Sequence, residues 1–347
     1  MPADAITWLH LSDFHADPLR EEPWPELDFE LESDLGEMAE HLGPPDLVIL
    51  SGDLTAHGRP AELELVDALL ERLERWLGRR LLVVAVPGNH DLLRPASPWR
   101  YVALREYDEH PSLHRDLWEQ GEPLLDPLFA PYQQWARRRV IEPLLQQGHE
   151  VHVSPRIPGD LSVVLDKGQT RLGLVGLNTA WASPWDGAEG QLQLRPEQLL
   201  AALPPGPAGD PLAWFHDVDA ALLITHHPRS WLSPRCRKLY KSRIHPPGRF
   251  ALALCGHQHE PWGELASSAR PRAVYQVPSL YGRAHLADGR ERTMGYAWGR
   301  RSADGRIRVW PRRRSRRKTG RHGLDPDLGF QHEEDALGGV ELVGPAG

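Results

Sequence analysis

Leu81-Leu82-Val83-Val84-Ala85-Val86-Pro87-Gly88-Asn89-His90-Asp91 is the stretch that decides how this chain folds. Its first six residues form an apolar run that reads as a buried strand. Pro87 and Gly88 break the run and turn the backbone. An amide, an imidazole and a carboxylate follow at once. Asn89 offers a neutral oxygen to a metal, His90 can donate a proton or a hydrogen bond, and Asp91 can orient His90. One such turn could equally be a polar loop, so its meaning depends on what the other strand ends carry.

Working outward toward the N-terminus, residues 5–11 read as a strand. Residues 26–42 place Leu27, Leu31, Leu35, Met38 and Leu42 at helical spacing. A second strand covers 46–51. Pro60 can open a helix whose Leu65, Leu69, Leu73 and Trp76 share one face and which Gly78 stops. With the strand at 81–86, this β-α-β-α-β alternation predicts a largely parallel sheet. Residues 92–150 interrupt it as a helical insertion, with helices near 98–119 and 127–147. Trp99, Trp118 and Trp135 there read as helix packing, with base stacking as the sharper alternative. The sheet pattern resumes at 150–154, 161–166, 171–177, 219–225 and 250–255. Segments near 272–277, 293–300 and 305–310 finish it. One domain is expected over 1–311. Residues 312–347 open with a basic run, Arg312 to Arg321, and turn acidic, which reads as a tail without stable structure. The run at 312–321 could contact nucleic acid or a partner protein.

The 347 residues are 25% charged and 40% hydrophobic, an ordinary globular profile. The net charge of −8 gives no general attraction to nucleic acid or an anionic membrane. No apolar run approaches the roughly 20 residues of a membrane span, and the N-terminus lacks the pattern of a signal peptide. Cys236 and Cys255 have no C-x-x-C spacing and read as free thiols, so a cytoplasmic chain is expected.

Other strand ends do carry matching groups. The first runs into Ser12-Asp13-Phe14-His15, where alternate residues share a side, so Asp13 and His15 can reach one ion. The second runs into Gly52-Asp53. Further on, Ile224-Thr225 leads to His226-His227-Pro228, and Leu254-Cys255 leads to Gly256-His257-Gln258-His259. Ligands of open α/β sheets bind beyond the carboxyl ends of the strands. Carboxylate, imidazole and amide donors suit Mn²⁺, Fe²⁺, Co²⁺, Ni²⁺ or Zn²⁺. The donors outnumber the needs of one ion and match two ions about 3.5–4 Å apart.

Taken in order, D-x-H, G-D, G-N-H-D, a histidine and G-H-x-H resemble the signature of the calcineurin-like metallophosphoesterase superfamily. The resemblance spans roughly residues 5–310. It implies a four-layer α/β/β/α sandwich of two mixed sheets. It implies that Asp13, His15, Asp53 and His259 hold one ion, and that Asp53 bridges to a second held by Asn89, His226 and His257, with His227 as support. Mn²⁺ is the favoured metal, with Fe³⁺ also open. The implied reaction is hydrolysis of a phosphoester, a phosphodiester above all (a cyclic nucleotide, a nucleotide-derived signal or a nucleic-acid end), by hydroxide activated between the ions. His90 would meet the phosphate and Asp91 would orient it. Arg94 could bind a substrate phosphate. A repair or defence nuclease, a phosphomonoesterase and a non-catalytic metal-binding scaffold are the alternatives. Trp8 to Asp13, Pro87 to Asp91 and Gly176 to Trp181 also resemble a bacterial branch found with nucleotide-binding signalling and defence modules, which implies a partner in a multi-component system.

Overall fold

The computed structural model describes residues 4–19, 25–94, 101, 104, 107–121, 123–183, 188–259, 262–266, 272–281, 293–317, 320–327, 329–330 and 337–344. The chain begins β1 (Ile6–Leu11), α1 (Pro25–Leu42), β2 (Leu47–Leu50), α2 (Pro60–Trp76) and β3 (Leu82–Ala85). The 92–150 segment contributes α3 (Pro111–His114), α4 (Asp126–Ala136) and α5 (Glu142–Gln146). There follow β4 (Glu150–Val153), β5 (Leu161–Lys167), β6 (Thr170–Leu177), α6 (Pro196–Ala202), β7 (Ala220–Thr225), α7 (Pro234–Leu239) and β8 (Leu252–Cys255). The last strands are β9 (Trp262–Ala266), β10 (Arg272–Gln276), β11 (Gly295–Arg301), β12 (Ile307–Arg316), β13 (His322–Pro326) and β14 (Val340–Val343).

These strands form two mixed sheets, as expected. One runs β13-β12-β11-β1-β2-β3, with β14 also on β12; the other runs β4-β5-β6-β7-β8-β10-β9. Strands β1, β2 and β3 are parallel, and Leu11, Leu50 and Ala85 end them side by side. Strands β6, β7, β8 and β10 are parallel in the second sheet. The histidine- and aspartate-bearing loops of each sheet therefore leave from one edge. The apolar runs hold this central position because every residue of β1, β2, β3 and β8 is buried. Each fully buried Val, Leu or Ile stabilises the sheet by about 1.5–3 kcal/mol. One apolar cluster joins residues of both sheets, among them Trp8, Val48, Leu174, Leu254 and Trp298. Buried His10 is structural: its Nε2 lies 2.9 Å from Ser51 Oγ and ties β1 to β2.

The helices of the 92–150 segment pack rather than project. Trp135 is buried and donates to Asp67 on α2 at 2.9 Å, and Trp118 donates to Tyr107. Trp99 lies outside the described residues. No helix among the described residues is long and apolar enough to cross a membrane.

The expectation of a tail without structure beyond residue 311 is corrected. β12 continues through Arg316, and β13 and β14 both pair with it. The physical reason is charge pairing that composition does not display. Arg312 is buried and donates to the Asp34 carboxylate from both Nε, at 3.0 Å, and Nη2. Arg314 forks onto Glu30 at 2.7 and 3.0 Å, and Arg317 meets Asp325 at 2.9 Å. These three arginines of the basic run are thereby tied to α1 and β13.

Candidate metal centre

The strand-end loops bring the predicted residues together. His259 Nε2 lies 3.2 Å from Asp13 Oδ1, and His15 Nε2 lies 3.9 Å from the same atom. The two Nε2 atoms are 3.4 Å apart. Beside them, His226 Nε2 lies 3.2 Å from Asp53 Oδ2 and 3.1 Å from His257 Nδ1. Asp53 Oδ2 is also 3.9 Å from His15 Nε2, so this one oxygen faces both groups. Potential ligand atoms converge in overlapping sets, Asp13/His15/His259, Asp13/Asp53/His226 and His226/His227/His257.

The backbone is bent to achieve this. Asp13, His15, Asp53, His257 and His259 all have positive φ, between 48° and 73°. A non-glycine residue in such a sparsely populated region costs on the order of 1–3 kcal/mol and persists where its surroundings over-determine it. Five of the six non-glycine residues with positive φ among the described residues belong to this cluster. The motif glycines explain how the loops approach. A Cβ on Gly52, whose φ is +95°, would stand 2.7 Å from both Gly88 N and His226 Nδ1. One on Gly88 would overlap the Asp53 carboxylate.

Electrostatics favour a cation. Asp13 Oδ1 is buried and no donor is aligned on it. Burial alone would raise the Asp53 carboxyl, but the His226 charge pulls it well below the usual range. Burial pushes His15 and His257 down to about 3, which keeps both imidazoles neutral. Neutral imidazole and ionised carboxylate are the metal-binding forms. The inner ring atoms are oriented from outside: His226 Nδ1 donates to Ser51 O at 2.7 Å. In spite of burial, the Asp53 charge holds the His226 imidazole up to about 9, so a metal at Nε2 would take the place of the proton that faces Asp53. The donor set therefore fits divalent cations.

Asn89 arrives by a route the sequence left open. Its Oδ1 lies 2.9 Å from Nε2 of buried His227, and Nδ1 of that ring lies 2.8 Å from Thr179 Oγ1. The doublet His226-His227 and the polar pair Asn178-Thr179 after β6 were the available signals. Trp231 closes this side, its ring centroid 4.0 Å from that of His257.

His90 sits beside the cluster, its ring centroid 4.8 Å from that of His15. The expectation that Asp91 orients His90 is corrected. His90 Nδ1 donates instead to Ala56 O at 3.0 Å, and its backbone N–H donates to Asp53 Oδ1 at 2.8 Å. The buried Asp91 carboxylate accepts from Gly88 N and Thr55 N, both at 2.8 Å, and so holds the turn. Burial, with the Asp53 charge adding to it, raises the Asp91 carboxyl to about 6. The loop rather than the ring uses this carboxylate because two backbone donors converge on it. Arg94 is exposed, three residues further on. A cavity of about 420 Å³ borders His15 and is lined by Phe14, Leu69, Arg72 and Tyr281 among others.

Two mixed sheets whose joined edges carry a carboxylate-imidazole cluster of this kind define a metal-dependent phosphoric ester hydrolase. The chain belongs to the calcineurin-like phosphoesterase family, whose model matches residues 6–261. That family uses dimetal centres, and the clusters here are able to bind metal. Similar solved structures include a dimetal phosphatase from Danio rerio, at 14% identity over 92% of this chain and 98% of that one, with a TM-score of 0.43. The calcineurin-like phosphoesterase YfkN from Bacillus subtilis shares 12% identity over 94% and 89% of the chains, with a TM-score of 0.40. The purple acid phosphatase PPD1 of yellow lupin, Lupinus luteus, shares 11% over 90% and 52%, with a TM-score of 0.46. No curated protein matches the sequence.

Proposed function

We propose that this chain hydrolyses a phosphodiester, with two divalent ions, Mn²⁺ foremost, in the cluster at the strand ends. Asp13, His15, Asp53 and His259 would hold one ion, and Asp53, Asn89, His226 and His257 the other. The observation that carries the reading is the Asp53 carboxylate, whose Oδ2 faces His226 Nε2 at 3.2 Å and His15 Nε2 at 3.9 Å. Bound there, the ions would lower the pKa of a water and neutralise phosphoryl oxygens.

The chain's own residues supply the rest. His227 and Thr179 hold the Asn89 amide in place. His90 stands next to His15 with Nδ1 committed to Ala56 O, so Nε2 is the atom available to the substrate. Protonated at Nε2, it can give a proton to the leaving oxygen. An alkoxide leaving group from a diester needs that proton. Asp91 keeps the Gly88 turn closed and thereby the His90 backbone on Asp53. Arg94 would meet a substrate phosphate from outside this cluster. The free, buried thiols of Cys236 and Cys255 suit the reducing cytoplasm, where we place the chain.

The test is a side-by-side rate comparison on bis- and mono-p-nitrophenyl phosphate with Mn²⁺. Faster turnover of the diester is expected. Faster turnover of the monoester would replace the reading with a phosphomonoesterase.

A further inference from the structure

A second cavity, of about 290 Å³, is lined by Arg229, Ser230, Arg237, Lys238 and Lys241. Four of these five side chains are cations and none is a carboxylate. This is unexpected in a chain with 48 acidic and 40 basic residues. Some basic residues elsewhere find acids, as Arg312 does with Asp34 and Arg314 with Glu30, while others such as Arg75, Arg79 and Arg243 are likewise outside any ion pair among the described residues. Among the described residues, no ion pair involves Arg229, Arg237, Lys238 or Lys241.

The local fold concentrates the charge. Arg237 and Lys241, and Lys238 and Lys241, are four and three residues apart along the helical run that starts at Pro234 and continues through Ile244. Such pairs are neighbours on a helix surface, where like charges repel. Arg229 adds a fourth cation from the turn Arg229–Trp231. An anion in the cavity would offset this repulsion.

One residue that lines the cavity is a near neighbour in the chain of the metal centre. Arg229 follows His227 by two residues, so their Cα atoms are within about 7.6 Å. The same short turn sends the Trp231 ring against His257 and Arg229 into the cavity. A molecule with one phosphate at the metals can therefore place another among these cations.

We propose that this cavity binds a second, uncleaved phosphate of the substrate, so that the preferred esters carry at least two phosphate groups. The inference rests on the phosphoesterase reading of the neighbouring cluster. Guanidinium and ammonium groups around a hollow recognise phosphate by charge and by hydrogen bonding. Two sources share that chemistry: a nucleoside polyphosphate and a single-stranded phosphodiester chain.

The test uses the full chain with its metals and two cleavage-resistant probes. One is adenosine 5′-(β,γ-methylene)triphosphate; the other is a short phosphorothioate oligothymidylate. Binding is measured over a salt series for the wild type and for Arg237→Gln/Lys238→Gln/Lys241→Gln. The variant should weaken one probe by about tenfold or more, and for the strand the salt slope should fall by about 0.7 for each phosphate that the variant no longer neutralises. Which probe responds identifies the source. Equal affinities of variant and wild type for both probes would overturn the proposal. So would an equal loss of turnover on bis-p-nitrophenyl phosphate, which has one phosphate, because the cations would then serve the cleaved ester. Lys241→Glu alone gives the same readouts should the triple variant melt early. A wild type that binds a probe through these residues but cleaves no diester would refute the diesterase reading and leave the pocket standing.

Discussion

Replacing Arg312 by alanine should unfold this protein far more readily than an exposed arginine in a basic run would suggest. Arg312 and Asp34 are each 4% exposed. The Asp34 carboxylate accepts Arg312 Nε at 3.0 Å, a second guanidinium N–H, and the Tyr296 hydroxyl at 2.6 Å. Burial already raises the Asp34 carboxyl above its ordinary value in spite of these donors, whereas Arg312 keeps its charge. We take the pair as ionised at neutral pH because three donors converge on one carboxylate. Without the guanidinium, a buried carboxylate is left with the tyrosine alone. Breaking a buried pair in this way costs about 3–5 kcal/mol. A carboxyl whose folded pKa is raised binds its proton more tightly in the folded state. Its stabilising contribution is full below the unfolded value of 3.8 and is lost as pH rises through the folded one. Arg312 holds that rise in check, so in Arg312→Ala the Asp34 carboxyl rises further and the deficit should grow from pH 5 to pH 8, by at most about 1.4 kcal/mol per pH unit. Urea unfolding at the two pH values measures this. A deficit under about 0.5 kcal/mol at pH 8, the range of ordinary surface substitutions, would mean that the pair adds nothing and return the basic run to solvent.

Two further outcomes are expected. Thr179→Val removes the hydroxyl that orients His227, which holds Asn89; affinity for one of two metal ions should fall about 10–100-fold by calorimetric titration, and an unchanged affinity would exclude the relay. Buried His245 is held neutral, its pKa pushed down to about 4 by burial between Tyr240 and Phe250. Its folded pKa is depressed, so the stability it carries is full above pH 6.5 and is lost as pH falls through 4, by about 3 kcal/mol in all. His245→Gln should flatten the fall in urea midpoint between pH 7 and pH 4.5; parallel curves for variant and wild type would contradict this.

Much of the fold was legible because its central strands are short apolar runs that end in glycine, aspartate or histidine. The residues after β1, β2, β3, β7 and β8 stand where the register of the parallel strands puts them. What composition hid was pairing across sequence. Arg312 and Arg314 look solvated beside their neighbours, yet their acids lie 278 and 284 residues away on α1. Strands β13 and β14 are four or five residues long and carry no run of apolar residues to announce them. The role of Asp91 is hidden in the sequence because its donors, Thr55 N and Gly88 N, are backbone groups, one of them from another loop. The left-handed backbone at Asp13, His15, Asp53, His257 and His259 has no sequence signature, since that region ordinarily asks for glycine.

A pair of ions sharing Asp53 is tested by metal content per chain, measured together with turnover of bis-p-nitrophenyl phosphate. The wild type should hold two divalent ions and turn over. Asp53→Asn should lose at least one ion and nearly all turnover, while its melting temperature shows that the fold persists. An Asp53→Asn protein that retains two ions and the wild-type rate with Mn²⁺ would show that Asp53 does not bridge them.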